Sequence, residues 1–222
     1  MDMSILGLSL KVAGVATVIN LPVALFLSWL VVKRRVRGRF LIDLMVSLPL
    51  AVPPVVIGYF LLLLLSRDGP LGTAVHTLLG VDVAFTWVAA ALASAVVSFP
   101  LMVRAIMLAM SGVDERLEIS ARSLGAGLLR VALTITLPLA YRGILAGILL
   151  GFVRALSEFG ATIIVAGNIP GRTQTLPLAI FTNVQTGKDD AALRLVAVTI
   201  VLAFVTLFVH NWLLDRDRTR RA

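Results

Sequence analysis

Long apolar stretches dominate this chain and leave few folds open to it. A helix of about 20 apolar residues spans the hydrocarbon core of a bilayer, and five stretches of that kind occur, over about 8–32, 41–65, 83–110, 139–166 and 191–214. Of the 222 residues 59% are hydrophobic and 14% charged, whereas a soluble domain has about a quarter charged residues. The sequence therefore predicts an all-α integral membrane protein with about five transmembrane helices in a single domain, residues 1–222. A soluble enzyme, a disordered chain and a free nucleic-acid-binding module are excluded.

The basic residues are divided unevenly between the connecting loops. Residues 33–39 carry five basic side chains and no acid, and the 111–138 loop and the C-terminal tail are also basic, whereas 66–82 and 167–190 hold few cations. Lys and Arg collect in the cytoplasmic loops of membrane proteins. The sequence therefore predicts an N-terminus outside and a C-terminus in the cytoplasm, which requires an odd number of spans. The net charge of +8 then reflects topology and does not indicate nucleic-acid binding.

The residues of the common catalytic and metal sites are missing from the sequence. It has no Cys, two widely separated His and no G-x4-G-K-[ST] loop for nucleotide phosphates. We therefore expect no catalytic residue, no metal and no cofactor bound by this chain, which also argues against an intramembrane enzyme.

The second apolar stretch contains Pro49, Pro53, Pro54 and Gly58 within ten residues. Each proline removes a backbone donor, and adjacent prolines kink or break a helix. A broken helix survives at membrane depth only where protein or a water-filled cavity satisfies its free carbonyls. Two interpretations stay open: a simple kink, or a span that lines a pathway and moves.

The fourth apolar stretch combines a glycine stripe with an ion pair. Gly143, Gly147 and Gly151 lie on one face at four-residue spacing, which favours close packing of another helix. Arg154 and Glu158 follow at i,i+4 spacing and are predicted to pair, because ionisable residues in spans usually do. The pair is either structural or part of an outer gate.

The 111–138 loop is the least apolar internal segment. Residues 113–124 read as an amphipathic helix, with Asp114 as its N-cap and Gly125 as its stop. A short helix of this kind can fit a groove in a partner, although a plain connector would have the same pattern.

Beyond these patterns, the loop resembles the coupling loop of ABC importer permeases, whose motif is EAA-x3-G-x9-I-x-L-P. The match runs from Gly125 to Ile135, Leu137 and Pro138, but the first two motif positions hold Ile119 and Ser120, with a glutamate one residue early, at 118. Further blocks resemble molybdate-type permeases: PLAVPPVVIG at 49–58, SFPLMVRA at 98–105, LExxARSLGA at 117–126, LSEFGAT at 156–162 and NIPGRTQTLP at 168–177. Sulfate permeases share the loop and the SEFGAT-like block.

This resemblance implies a type I ABC importer permease fold with a cytoplasmic coupling helix, in the bacterial inner membrane. It also implies a second copy of the chain, separate cytoplasmic ATPase subunits that bind ATP and Mg, and an external molybdate-binding protein. The implied function is passage of molybdate to the cytoplasm by alternating access. The alternatives are a sulfate or tungstate permease and an ATP-independent secondary oxyanion transporter.

The resemblance also assigns residues to three tasks. Coupling to the ATPase is expected of Glu118, Ala121, Leu124, Gly125, Ile135, Leu137 and Pro138. The pathway or its gate is expected to involve Pro49, Pro53, Pro54, Gly58, Arg154, Glu158 and Gly160. Contact with the binding protein is expected of Asn168, Arg172, Thr173 and Gln174, for which a solvated turn is the alternative.

Overall fold

The computed structural model describes residues 3–33 and 38–218, and the side chains of 3–33 and 38–214. The basic residues at 34–37 and the charged tail side chains beyond 214 lie outside this described part. Regular structure in the described ranges is entirely helical. The helices are α1 (Met3–Lys33), α2 (Arg39–Ala51), α3 (Pro54–Leu65), α4 (Pro70–Leu79), α5 (Trp87–Ser111), α6 (Glu115–Ser123), α7 (Leu128–Val131), α8 (Leu137–Leu156), α9 (Gly160–Val165), α10 (Leu176–Gln185) and α11 (Asp189–Arg218), with a π-helical stretch, Ala132–Thr136, joining α7 to α8.

Four helical segments are long and apolar enough to cross a membrane: α1, α5, α11 and the continuous run Leu128–Leu156. The pair α2 and α3 passes the same test only as a unit, and its two arms are bent by 105°. The expected five spans are thus confirmed if the bent pair counts as one span.

Two of the expected spans are corrected by the structure. The second, 41–65, is two helices separated at Val52 and Pro53, because consecutive prolines cannot continue a helix. The fourth was placed at 139–166, but helix α8 ends at Leu156 and a separate short helix begins at Gly160. The apolar sequence continues across each break, because hydropathy does not show where the backbone hydrogen bonds of a helix end.

Helix α5 forms the centre of the bundle because its residues are small. In the most apolar 18-residue stretch of α5, 56% of the residues are buried, against 11% in that of α11. Ala89, Ala90 and Ala93 are fully buried. Helices α1 and α8 pack on α5, while α11 packs mainly on α8 and α10. The peripheral α11 therefore leaves most of its apolar surface for lipid or another chain.

The glycine stripe packs α8 directly against α5, as the spacing predicted. A Cβ on Gly143 would lie 2.5 Å from the Cβ of Ala109, and one on Gly151 would lie 2.6 Å from the Cε of Met102. A larger residue at Gly143 would force the two helices apart because Ala109 cannot move aside, whereas one at Gly151 would require the flexible end of Met102 to shift.

Buried polar side chains also join α1 to α5. The Nδ2 of Asn20 donates to the carbonyl of Ala95 at 2.8 Å and to the Oγ of Ser98 at 3.2 Å. The Oγ of Ser28 donates to the carbonyl of Val103 at 3.2 Å. Such bonds hold helices together in an apolar medium, where an unpaired polar group is costly.

The bundle has two distinct ends. At the first, called the α6 end, the last residue of α1 and the end of α5 meet α6. At the second, called the α10 end, the backbone N–H of Leu176 donates to the Oγ of Ser9 at 2.8 Å, and the Nζ of Lys11 lies 3.6 Å from the ring centre of Trp87. Both ends therefore carry interactions that fix the loops outside the spans.

Candidate functional site

Helix α6 forms as the sequence predicted. The Oδ1 of Asp114 accepts from the backbone N–H of Arg116 at 2.9 Å, which caps the first turn. Glu115 and Glu118 add negative charge where the helix dipole favours it. Helix α6 ends at Ser123, and Gly125 follows its C-cap with a φ of +88°, in the left-handed region. A Cβ at this position would have nothing within 4 Å, so backbone conformation rather than crowding requires glycine here.

Large apolar side chains are exposed on α6, at its C-cap and on α7. Leu124 is 90% exposed, and Leu117, Ile119 and Leu129 are all exposed as well. We call these four residues the apolar patch. Apolar side chains at the end of a loop outside the bundle, flanked by the exposed Arg116, form a surface suited to a partner's groove.

One residue of α6 faces the bundle. Glu118 is buried, and its Oε1 lies 3.0 Å from the Nζ of Lys33 at the end of α1. The same oxygen accepts a hydrogen bond from the Oγ1 of Thr136 at 2.7 Å. The Nζ of Lys33 also donates to the carbonyl of Val113 at 3.2 Å. We call Lys33, Glu118 and Thr136 the Glu118 cluster.

The connection from the loop to α8 is continuous. Pro138 has no backbone N–H to donate, and the preceding N–H, that of Leu137, reaches back five residues to the carbonyl of Ala132. The missing donor accounts for a π-helical stretch at this point instead of an α-helical turn. Ile135 lies half-buried within this stretch.

The broken span brings its glycine against the second break. A Cβ on Gly58 would lie 2.5 Å from the carbonyl oxygen of Ala161 in α9, and one on Gly160 would lie 3.1 Å from the Cβ of Pro54. Helices α3 and α9 therefore touch backbone to backbone. The chain discontinuities at Pro53 and at residues 157–159 lie side by side in the fold.

The expected ion pair closes the end of α8. The Nη1 of Arg154 lies 2.8 Å from Oε2 of Glu158, whose side chain is 2% exposed. The other carboxylate oxygen accepts from the backbone N–H of Ala161 at 2.8 Å. Glu158 thus neutralises Arg154 and holds the start of α9, so the predicted pairing is confirmed.

The 167–175 loop at the α10 end is held by its own side chains. Asn168 donates to the Oγ1 of Thr182 at 2.7 Å and accepts from the Nε2 of Gln174 at 3.0 Å. The Oγ1 of Thr173 accepts from the backbone N–H of Ile169 at 3.0 Å. Among the four residues assigned to the binding protein, Thr173 and Gln174 are buried and Arg172 is exposed.

The comparisons with known proteins agree with this architecture. Residues 20–218 match the model of the family described as binding-protein-dependent transport system inner membrane component. The chain belongs to that family. Its mean hydropathy of +1.00 and its long apolar helices are those of an inner membrane component.

Two groups of relatives cover nearly the whole chain. The molybdenum transport system permease protein ModB of Escherichia coli strain K12 is 48% identical over 96% of this chain and 95% of its own length, and ModB of Haemophilus influenzae is 45% identical over 97% and 95%. The sulfate transport system permease protein CysT of Salmonella typhimurium is 33% identical over 94% of this chain and 75% of its own length.

Solved structures show the same fold at low sequence identity. The inward-facing MetNI methionine ABC transporter superposes with a TM-score of 0.67 at 14% identity, covering 95% of this chain and 93% of that one. An amino acid ABC transporter solved with histidines gives 0.60 at 19% identity, covering 95% and 90%. The fold is therefore that of a type I ABC importer permease.

For a permease of this family, the structure places the assigned coupling residues along one stretch of chain, from α6 to the first turn of α8. Ala121, Leu124 and Gly125 belong to α6 or its cap, and Ile135, Leu137 and Pro138 follow it at the entry to α8. Five of the seven pathway candidates, Pro53, Pro54, Gly58, Glu158 and Gly160, lie at or near the two breaks, while Pro49 lies within α2 and Arg154 in the last turn of α8.

Sequence reasoning missed two residues of the Glu118 cluster, Lys33 and Thr136. Lys33 was counted only among the basic residues of its loop, and Thr136 only as the variable position of the I-x-L-P motif. Helical spacing could not find their contact with Glu118, because 85 residues of chain separate Lys33 from it. The 18-residue offset between Glu118 and Thr136 likewise crosses a loop.

Proposed function

We propose that this chain is the membrane-spanning permease subunit of an ATP-driven molybdate importer. The observation that carries the proposal is the structure of α6, a capped helix outside the bundle that exposes the apolar patch. Its buried Glu118 binds Lys33 at the end of α1 and Thr136 at the entry to α8. A chain without a nucleotide-binding loop needs such a surface to bind a separate ATPase, whose movements drive transport. Molybdate is supported by the 48% and 45% identical molybdenum permeases.

The orientation follows from the charge distribution. With the α6 end in the cytoplasm, the N-terminus lies outside and the basic loop at 33–39 lies inside, as the positive-inside rule demands. The apolar patch then faces cytoplasmic ATPase subunits, which hold ATP and Mg. The α10 end, with the exposed Arg172 at the tip of its loop, faces an external binding protein.

A second copy of the chain completes the pathway. Large apolar side chains are exposed along the broken span, among them Phe40, Met45 and Phe60, and a broken helix at membrane depth needs protein around it. Alternating access then requires two packings of similar energy.

Sulfate is the second candidate substrate, supported by the 33% identical CysT relatives. Both oxyanions carry two negative charges, so an external binding protein would be the component that separates them. The subunit itself would then bind neither ion tightly.

The test reconstitutes the chain, its ATPase and its binding protein in liposomes and measures molybdate uptake with excess sulfate. We expect uptake that requires ATP and resists sulfate. In Gly125→Asp we expect uptake to fall strongly, because the cap of α6 needs a positive φ.

Gly80→Asp is the matched control, since Gly80 has a φ of +69°, open surroundings and a place in the loops away from α6. Equal uptake by Gly125→Asp and Gly80→Asp would refute the role of α6. Uptake without ATP would refute the importer and support the secondary transporter, and uptake suppressed by sulfate would support the second substrate.

A further inference from the structure

Glu118 differs from every other described residue of α6, because it alone is buried. The neighbouring Leu117 and Ile119 are 49% and 53% exposed. At 3.6 residues per turn, Leu117 and Ile119 lie about 100° to either side of Glu118 around the helix, so a partner can bind them without reaching its carboxylate. The carboxylate of Glu118 points into the bundle, where it is held by groups of this same chain.

The Glu118 cluster joins α6, the end of α1 and the π-helical stretch at one carboxylate oxygen. Oε1 of Glu118 receives the ammonium of Lys33 from α1 at 3.0 Å and the hydroxyl of Thr136 from the π-helical stretch at 2.7 Å. Lys33 in turn binds the carbonyl of Val113 at 3.2 Å, just before α6. A displacement of α6 thus acts on the end of α1 and on the entry to α8 through direct polar contacts.

Because both side chains of the pair are largely buried, each charge depends on the other for its stabilisation. The side chains of Lys33 and Glu118 are 10% and 11% exposed, so neither charge can be solvated fully if the other moves away. Breaking a buried pair is far more costly than replacing the whole pair with apolar groups. The pair therefore contributes little to the free energy of unfolding, and its main effect is to fix the position of α6 relative to α1.

We propose that Glu118 is a positioning residue that transmits the movement of α6 to α1 and α8, and that it does not contact the ATPase. This inference rests on the proposed function, because it assumes that α6 receives the movement of an ATPase. Glu118 thus takes part in coupling, as the resemblance implies, but through contacts within the permease. The apolar patch is the surface that binds the ATPase.

The test measures molybdate transported per ATP hydrolysed by the full complex in liposomes. In Glu118→Gln and Lys33→Met we expect the ATPase to co-purify and to hydrolyse ATP, while transport per ATP falls at least about fivefold, the lower range of measured coupling energies. A residue with only a structural role would lower assembly and hydrolysis together and leave this ratio unchanged.

Three further variants serve as controls. Asp82→Asn removes an exposed carboxylate whose Oδ1 lies 3.0 Å from the Nδ1 of His76 and should leave the ratio unchanged. The exchange Lys33→Glu with Glu118→Lys restores the pair and should recover most of the ratio. Leu124→Ala should instead weaken co-purification of the ATPase, because it removes an exposed side chain of the apolar patch.

Three outcomes would overturn the inference: an unchanged ratio in Glu118→Gln, loss of the ATPase from that variant, or an exchange variant no better than the single ones. If a single variant is not recovered as a monodisperse complex, Thr136→Val removes one hydrogen bond with little change of shape, and an unchanged ratio there would equally overturn it. Absence of ATP-driven uptake by the wild-type complex would refute the proposed function instead.

Discussion

At the scale of single residues, the fold depends on glycines, which have no side chain, and on buried polar side chains. Gly58, Gly143 and Gly151 let backbones approach where any Cβ would collide. Asn20 bridges α1 and α5 by donating to two acceptors at a buried position. In both cases one atom or one hydrogen bond decides whether two helices can meet, so single substitutions should have measurable effects.

Gly58→Ala should destabilise the chain. Its Cβ would lie 2.5 Å from the carbonyl oxygen and 2.8 Å from the Cα of Ala161, and backbone cannot move aside as a side chain can. Overpacking of this kind costs about 1–3 kcal/mol, which should lower the apparent Tm of the purified permease in detergent. Gly14→Ala is the control, since nothing lies within 4 Å of its Cβ; equal Tm values for both variants would contradict the close α3–α9 contact.

Asn20→Leu should also lower the Tm, because it removes both bonds to α5 and leaves the Oγ of Ser98 with one partner fewer. Interhelical hydrogen bonds in membranes contribute about 0.6–2 kcal/mol. The matched substitution Asn211→Leu lies on the exposed side of α11 and should have little effect. A Tm unchanged by Asn20→Leu would show that these two hydrogen bonds add nothing to the stability of the α1–α5 interface.

At the scale of elements, the two chain breaks depend on different chemistry. Prolines break the α2–α3 span, whereas the α8–α9 break is closed by Glu158, which pairs with Arg154 and caps Ala161. Proline breaks are visible in the sequence as residue identities. The second break is not, because Ser157, Glu158 and Phe159 are all tolerated in helices and only the capping contact shows that the helix has ended.

The Arg154–Glu158 pair should respond unequally to the loss of either partner. Arg154→Met leaves a carboxylate that is 2% exposed without its counter-ion, and uncompensated buried charges cost about 3–5 kcal/mol. Glu158→Gln keeps an acceptor for Ala161 and leaves an arginine that is 28% exposed. Thermal unfolding should therefore show a larger loss of stability for Arg154→Met; a larger loss for Glu158→Gln would contradict the assigned burial.

Hydropathy and short motifs together predicted much of this fold. The spans of α1, α5 and α11 follow from apolar length, and α6 follows from Asp114 and Gly125 as cap and stop. Helices α4 and α10 were missed because they lie in loops counted as polar, although a proline at the start of each and Gly80 after α4 are helix boundary signals. The Glu118 cluster could not be predicted, because it joins segments that only the folded bundle brings together.

At the scale of the whole molecule, the two ends differ in how their loops are fixed. The α6 end has the buried Glu118 cluster and the apolar patch, whereas the α10 end has a network of amide and hydroxyl side chains around Asn168. In the proposed topology these ends face opposite compartments, with the ATPase on one side and the binding protein on the other.

Single cysteines should report this topology without background, because the chain has no Cys. Ser123→Cys at the end of α6 should resist a membrane-impermeant maleimide in intact spheroplasts and react after lysis. Lys188→Cys, in the exposed turn before α11, should react in intact spheroplasts. The reverse pattern would invert the proposed orientation.

The 105° bend between α2 and α3 has a consequence for the surrounding lipid. With 13 and 12 residues, the arms are about 20 and 18 Å long at 1.5 Å per residue, and neither crosses a hydrocarbon core of about 30 Å alone. Where lipid borders this pair outside the contact with the second copy, its acyl chains must shorten or splay, so we expect hydrophobic mismatch to tune the transporter. Uptake should be faster in short-chain than in long-chain phosphatidylcholine, and equal rates would show that protein, not lipid, covers both arms.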